Sequence, residues 1–510
     1  MNEIDPKMRF RNAVKLASPD ENDLAIPEEL GEEAQRVADL FSDRPYSARV
    51  VAGIARLCDF LAILGLGLGI YFTYAMSDGP DSLYVLPVIG GSMLAIILLQ
   101  AVDAYDLGVM RSFVTQSGRI FMGVTVVFAF FATLAFFLKM GDFYSRFWFG
   151  AWYVSTFGYF IVSRVIIANL IRRWTRDGLM ERRAVIVGGG RNAEELIHSL
   201  ESQPGNDIRI CGIFDDRTGD RSPPSVAGYP KLGTVGQLVT FARHAQLDLL
   251  IVSLPITAEA RVQKMLSKLW VLPLDIRLSA HTNKLRFRPR SYSYIGAVPF
   301  LDVFDKPLAD WDTLLKRVFD LFFASLALVA LAPLMLATAV AIRLESPGPV
   351  IFRQKRYGFN NDEIEVLKFR SMYHDQADPL AKNVVTRNDP RVTKVGRFIR
   401  KTSIDELPQL FNVLAGSLSL VGPRPHAVNA HTAEKRWEEV VQHYFARHRV
   451  KPGVTGWAQV NGWRGEVDTP EKIKNRVDHD LYYIENWSVM FDLQILLMTP
   501  FKLLKTENAY

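Results

Sequence analysis

Cysteine is scarce: Cys58 and Cys211 are the only two in 510 residues, the first in an apolar run and the second in an expected buried strand. No CxxC pair occurs, so a disulfide-stapled fold is excluded and soluble domains in a reducing cytoplasm are expected. Residues 1–45 are polar and acidic and lack the apolar stretch of a cleavable signal peptide. Nucleic-acid-binding motifs are missing too, so the basic residues are not read as a nucleic-acid surface.

Charge is absent from four segments, Phe60–Met76, Ser82–Val102, Ile120–Leu138 and Phe147–Ser163. Each meets or approaches the length of a bilayer crossing. Their clustering predicts a four-helix transmembrane bundle over residues 49–174, behind a polar N-terminal tail, 1–48. Arg44, Arg49 and Arg56 precede the first run, and Arg111 and Arg119 lie between the second and third. Arg172, Arg173, Arg176, Arg182 and Arg183 come after the fourth, whereas Ser77–Asp81 has no positive charge. By the positive-inside rule both ends of the bundle face the cytoplasm. The chain beyond the bundle then begins on the side that holds nucleotide-activated substrates.

Arg183–Val187 reads as a buried strand, leading into Gly188-Gly189-Gly190-Arg191-Asn192-Ala193, a G-x-G-x-x-A turn opening a helix. With strands at Ile208–Ile213 and Leu249–Val252, residues 181–300 are expected to form a Rossmann-like α/β domain. Gly188 and Gly190 either clasp a nucleotide at the helix N-terminus or serve only close strand–helix packing. The domain has no Tyr-x-x-x-Lys pair, which a short-chain dehydrogenase or epimerase needs.

A fifth apolar run, Leu321–Ile342, has 22 uncharged residues with Pro333 inside it. Lys316 and Arg317 precede it, and Arg343, Arg353, Lys355 and Arg356 come after. Basic flanks on both sides argue against crossing, and proline favours a break. A re-entrant helix over 312–344 returning to the cytoplasmic face is therefore expected.

From Arg353 to Lys401 there are 12 Lys/Arg against six Asp/Glu, an excess that equals the whole chain's net charge of +6. Such a patch suits a phosphate-bearing substrate or an anionic lipid surface. It leads into Arg400-Lys401-Thr402-Ser403-Ile404-Asp405-Glu406-Leu407-Pro408. Ser403 and Glu406 match a helix capping box, the plain explanation of these acids. Pro408 fits a helix beginning nearer Asp405, and in either register both acids sit at a helix N-terminus. The chemical alternative is an ionised Asp attacking phosphorus, with Mg²⁺ and arginines neutralising the phosphates. From spacing alone both readings stay open.

Lys316-Arg317-Val318-Phe319-Asp320, the Pro-interrupted run, Ser346-Pro347-Gly348-Pro349, Lys368-Phe369-Arg370-Ser371-Met372, Asp405-Glu406, Gly422-Pro423-Arg424-Pro425 and Pro452-Gly453-Val454-Thr455-Gly456 occur in one order. Together they resemble the bacterial polyprenyl-phosphate hexose-1-phosphate transferases, the large monotopic phosphoglycosyl transferases. The resemblance covers the last 200 residues densely and implies an α-rich catalytic domain over 311–510. One departure is Ala332, where the family often has serine before the proline. The resemblance implies Asp405 as nucleophile, Glu406 as its partner, both near Mg²⁺, and Arg400 and Arg424 on phosphates. It places Lys316 and Arg317 at the membrane end of the site and Gln459 and Asn461 near the nucleotide or sugar. The implied reaction moves a hexose-1-phosphate from a UDP-sugar to undecaprenyl phosphate and releases UMP. Residues 456–466 are more similar to the glucose than to the galactose enzymes. The implied setting is the bacterial inner membrane, with the α/β and catalytic domains on the cytoplasmic face; a homodimer is compatible with the sequence. Two other readings remain, a non-catalytic nucleotide-binding scaffold and a nucleotide-sugar oxidoreductase using Gly188–Gly190.

Overall fold

The structure is a computed structural model that describes residues 29–42, 45–74, 84–140, 143–203, 208–217, 219, 222–254, 259–279, 293–295, 298–376, 389–426, 431–432, 435–437, 441, 444–463, 465 and 469–504. The chain divides into two units, residues 43–182 and residues 1–42 together with 183–510.

The first unit is a ring of four helices: α2 (Ala48–Tyr74), α3 (Val85–Ala101), α4 (Phe113–Phe137) and α5 (Arg146–Arg176), α1 lying in the other unit. Helix α2 packs on α3 and α5, and α4 on the same two. Small residues admit large ones at the centre: a side chain at Gly67 or Gly91 would meet the Trp152 ring at 2.9 Å. Trp148 and Trp152 donate their indole N–H groups to the carbonyls of Gly67 (3.0 Å) and Ile63 (2.9 Å). The outer faces carry exposed Leu57, Leu61, Phe121, Val154 and Ile161, as lipid contact requires.

Helices α2, α4 and α5 are long and apolar enough to cross a membrane, whereas α3 has 17 residues. The ends of the bundle decide the count. Tyr46 N–H, before α2, donates to Leu179 O, after α5, at 2.6 Å, and the Tyr46 and Trp174 rings lie 4.8 Å apart. Ends that meet lie on one side, so the number of crossings is even and α3 is one of them. This is a membrane protein.

In the second unit the described part of the expected polar tail contains a helix, α1 (Glu32–Leu40). Ala34 and Ala38, one turn apart, are fully buried in the core of the α/β domain. Short side chains on a strongly acidic helix leave little apolar signal in the sequence.

The α/β domain has strands β1 (Arg182–Val187), β2 (Ile208–Phe214), β3 (Ser225–Val226), β4 (Tyr229–Gly233), β5 (Leu249–Val252), β6 (Asp275–Ser279), β7 (Ser293–Ile295) and β8 (Val298–Phe304). They form one sheet of order β3-β4-β2-β1-β5-β6-β8-β7. The pairings β2 with β4, β1 with β5 and β5 with β6 are parallel, and the antiparallel strands finish its edges. Residues 184–187 of β1 and all of β5 are apolar and buried because helices α6 (Arg191–Glu201), α7 (Val235–His244) and α8 (Glu259–Leu269) flank the sheet. The Rossmann-like expectation holds.

The C-terminal region opens with α9 (Asp310–Glu345), 36 residues and also long and apolar enough to cross a membrane. It is one continuous helix through Pro333, so the expected break is not an interruption. Proline deletes a single ladder hydrogen bond, and the bonds on either side carry the helix past it. Its first half packs Phe319 and Ala324 against Leu410, Val413 and Leu418. Its second half packs Met335 and Ile342 against Phe369 and Ile399, with Ile404 and Leu407 beside them. At the C-terminal end the Glu345 carboxylate accepts the N–H groups of Lys394 (2.7 Å) and Val395 (3.0 Å). Those amides open α10 (Lys394–Thr402), whose dipole favours the anion there.

The hairpin β9 (Ile351–Tyr357) with β10 (Glu363–Phe369) lies against α11 (Gln409–Ala415). Asn412 joins them, accepting Leu367 N–H (2.9 Å) and donating to Glu365 O (2.7 Å). Short parallel strands β11 (Ser419–Val421) and β12 (Gly453–Thr455), then α12 (Pro470–Glu485) and α13 (Val489–Leu504), complete the domain. On α13, Ile495 is buried while Leu497 and Phe501 are exposed, so it is core on one face and apolar surface on the other.

Candidate active site

The dyad sits where α10 ends. Ser403 adopts a left-handed conformation (φ 60°) and caps nothing with its hydroxyl, and Ile404–Glu406 form a 3₁₀ turn ahead of α11. The capping-box reading is therefore overturned: the Glu406 side chain reaches across the domain, not back to the Ser403 backbone. Pro408 occupies the cap position of α11, where no donor is missed.

Glu406 is held by two cations. Lys368, at the end of β10, donates to Oε1 at 3.0 Å, and Arg424 to both oxygens at 2.5 and 3.2 Å. Asp405 is partly exposed, and no hydrogen bond to its carboxylate is present among the described residues. Desolvation pushes its carboxyl up to about 6 and the neighbouring Glu406 adds to this, against Lys368, Arg400 and Arg424. Burial lowers the Lys368 ammonium, opposed by Glu406 and Asp405. Glu406 raises the Arg424 guanidinium. The result is one carboxylate locked by cations beside one left available.

Arg424 is presented by a backbone fixed at each residue. Gly422 N–H bonds Thr455 O (2.9 Å), and Gly453 N–H bonds Pro423 O (2.9 Å). Arg447 donates to Arg424 O (2.6 Å) and Arg356 to Pro425 O (2.8 Å). The two glycine motifs exist because these backbones press together: a Cβ at Gly453 would lie 2.1 Å from Gly422 N, and one at Gly456 2.2 Å from Gly422 O. The alternation Lys368-Phe369-Arg370 sends Lys368 to Glu406, Phe369 into the core and Arg370 to the carbonyl of Ser346 at 2.8 Å.

Of the residues expected from sequence, Asp405, Glu406, Arg400 and Arg424 come together. Gln459 lies one turn beyond Gly456, its Oε1 buried without a partner among the described residues. Asn461 donates to Trp457 O of its own short helix (2.8 Å) and is exposed. Lys316 and Arg317 are not brought to the dyad. Lys316 is buried on Asp492 (2.7 Å) and Val421 O (2.9 Å), and Arg317 holds the Val413 and Leu414 carbonyls at the far end of α11 (2.6 and 2.7 Å). Lys368 and Arg356 were not assigned from sequence, although Lys368 stands inside the Lys368–Met372 motif; only the hairpin register brings it opposite Glu406.

Residues 311–506 match the bacterial sugar transferase family and residues 100–280 match a CoA-binding domain. The UDP-glucose:undecaprenyl-phosphate glucose-1-phosphate transferase of Escherichia coli (strain K12) is 40% identical over 361 residues, covering 71% of this chain and 76% of that protein. The chain belongs to the bacterial sugar transferase family. Proteins of the same name from Klebsiella pneumoniae (34% identical over 475 residues, 91% of this chain and 97% of that one) and Xanthomonas campestris pv. campestris (35% over 393 residues, 75% and 79%) are similar across both units. This sugar transferase also carries the glycine turn of the α/β domain in an occupied form. Gly189 N–H donates to Asp215 Oδ2 (2.7 Å), and Arg217 bonds both Asp215 oxygens (2.9 and 3.1 Å) and Gly189 O (2.8 Å). Desolvation opposes the Asp215 charge, but Arg217 and Gly189 prevail and hold the carboxyl below its ordinary value. An anion arriving at Gly188–Gly190 has to displace this carboxylate.

Proposed function

We propose that the protein transfers glucose-1-phosphate from UDP-glucose to undecaprenyl phosphate, the first step of a surface-polysaccharide repeat. The observation that carries this reading is the asymmetric dyad: Glu406 is locked by Lys368 and Arg424, while the Asp405 carboxylate has no hydrogen-bond partner among the described residues. The relatives' names supply the donor and acceptor.

Asp405 attacks the sugar-bearing phosphorus, and the bond to the bridging oxygen breaks toward UMP. The glucose phosphate is then held on the Asp405 carboxylate. An oxygen of the lipid phosphate attacks the same phosphorus and frees Asp405, giving the lipid diphosphate sugar. Arg424 and Lys368, fixed by Glu406, face the phosphate charge that develops, and Arg400 adds to it. Gln459, whose oxygen has no partner among the described residues, is suited to a donor on the sugar or nucleotide.

Mg²⁺ fits the donor set. Among the described residues no cluster of three metal-binding side chains exists, and Mg²⁺ is commonly held by one or two carboxylates with phosphates and water supplying the rest. Of the dyad, Asp405 is the carboxylate placed to hold it, Glu406 being engaged by Lys368 and Arg424, and when bound it would neutralise pyrophosphate charge.

The reading places α9 as a re-entrant helix on the cytoplasmic leaflet of the inner membrane. Thirty-six residues span about 54 Å if straight, yet both halves pack on one domain and both ends are tied to it. A helix crossing the bilayer would leave one end on the other side. The experiment is UMP release from UDP-glucose by membranes holding the wild-type or the Asp405→Asn protein. Release by the variant at the wild-type rate would remove the nucleophile assignment.

A further inference from the structure

The transferase site and the α/β domain share one short element. Tyr444–Arg449 form a 3₁₀ turn whose side chains go two ways. Toward the site, Arg447 is fully buried, ion-paired with Asp480 of α12 at 2.7 Å, and donates to Arg424 O at 2.6 Å. It also contacts the His426 ring, which Tyr444 OH meets at 2.6 Å. Toward the α/β domain, Ala446 is fully buried in the cluster that contains Trp270, Leu272 and Phe304. Arg449 donates to Asp305 O at 3.1 Å and lies over the Trp270 ring at 5.8 Å. On α12, Leu481, the residue after Asp480, packs against the α/β core and two clusters of the catalytic domain.

We propose that the Tyr444–Arg449 turn couples the α/β domain to the active site, with Arg447 as a positioning residue that fixes Arg424 and with Ala446 and Arg449 as its anchor. Arg447 touches neither Glu406 nor Asp405. It holds the carbonyl of the residue whose side chain holds Glu406, so a displaced turn moves the Arg424 guanidinium off the phosphate position. The α/β domain then acts on the reaction by setting the place of a backbone, and anything that shifts its Trp270 edge is felt at the dyad. The β9–β10 hairpin gives a second contact of the same kind. Its tip donates from Asn360 to Ala242 O of α7 at 3.4 Å, and its strands carry Arg356 and Lys368.

The inference deepens the transferase reading and rests on it for kinetics alone. The test uses the full-length protein in bilayer discs, as Arg447→Lys, Arg449→Ala and the milder Arg449→Lys. Amide exchange of Leu420–Arg424 needs no turnover and is expected to quicken about three- to tenfold in all three variants, with the sheet of the α/β domain unchanged. With UDP-glucose, kcat is expected to fall about 10- to 100-fold in Arg447→Lys and about 2- to 30-fold in Arg449→Ala, at little change in KM. The double variant is expected to lose less than the product of the two. Unaltered exchange at Leu420–Arg424 in the Arg449 variants overturns the proposal. Exchange that quickens evenly through both domains overturns it too, because that marks a general loss of stability. A wild-type protein that releases no UMP would sink the transferase reading and leave the exchange result to decide this one.

Discussion

Asp405 and Glu406 carry the same functional group in opposite surroundings. Glu406 meets Lys368 and Arg424, while Asp405 meets their charge without their hydrogen bonds. Because its carboxyl lies near 6, UMP release is expected to fall with an acid limb close to that pH. Lys368 pulls the value down and Glu406 pushes it up. Lys368→Met should therefore move the limb to higher pH and Glu406→Gln to lower pH; pH–rate profiles of the two variants check the opposed signs. Stability depends on the same carboxyl. A value raised by folding means that the native state keeps a proton the unfolded chain has lost, so stability falls as pH rises from about 4 to about 6. Asp405→Asn removes that cost and should be more stable at pH 7.5 by about 1–3 kcal/mol. Thermal unfolding at pH 7.5 and below pH 4 checks it, the gain vanishing in acid. At this scale the sequence is legible where function sits on neighbours in the chain, as Asp405, Glu406 and Arg424 do within known motifs. Lys368 and Arg356 reach the site through the β9–β10 hairpin and Arg447 through a turn, and no spacing announces that. Lys316 and Arg317 show the converse. The family resemblance puts them at the membrane end of the site, and in the structure Asp492 and the end of α11 hold them.

Among the elements, α9 was readable in outline and not in detail. Its apolar length, basic flanks and Pro333 are visible in the chain, whereas the packing of both halves on one domain depends on residues about 30 to 100 positions away. Leu315 and Leu344 are exposed near its two ends. Cysteines placed there should be labelled from the same, cytoplasmic, side by an impermeant reagent in spheroplasts and inverted vesicles; labelling from opposite sides contradicts re-entry. Asn412 ties β10, and with it Lys368, to α11 by two hydrogen bonds. Asn412→Ala is expected to cost about 2 kcal/mol and to lower kcat more than it raises KM, which steady-state kinetics and a melting curve separate. Helix α1 escaped notice because Ala34 and Ala38 bury fully while adding little hydrophobicity.

For the whole molecule, the meeting of Tyr46 with Leu179 constrains the unit of residues 43–182, whose helices then cross an even number of times. The bundle, the Rossmann-like sheet and the catalytic domain were each legible from charge-free runs, strand–glycine–helix order and motif order. The join between the sheet and the catalytic domain was not, since it rests on a few contacts such as Ala446 in a foreign core. The chemistry of the whole reduces to one claim, that the sugar phosphate passes through Asp405. The most direct measurement is intact mass of the full-length protein mixed with UDP-glucose and Mg²⁺ in the absence of any lipid acceptor. The account predicts one glucose phosphate per chain, borne by Asp405, with an equal amount of UMP, and its disappearance when undecaprenyl phosphate is added. UMP formed only after the acceptor is added, with no labelled protein at any time, would contradict it.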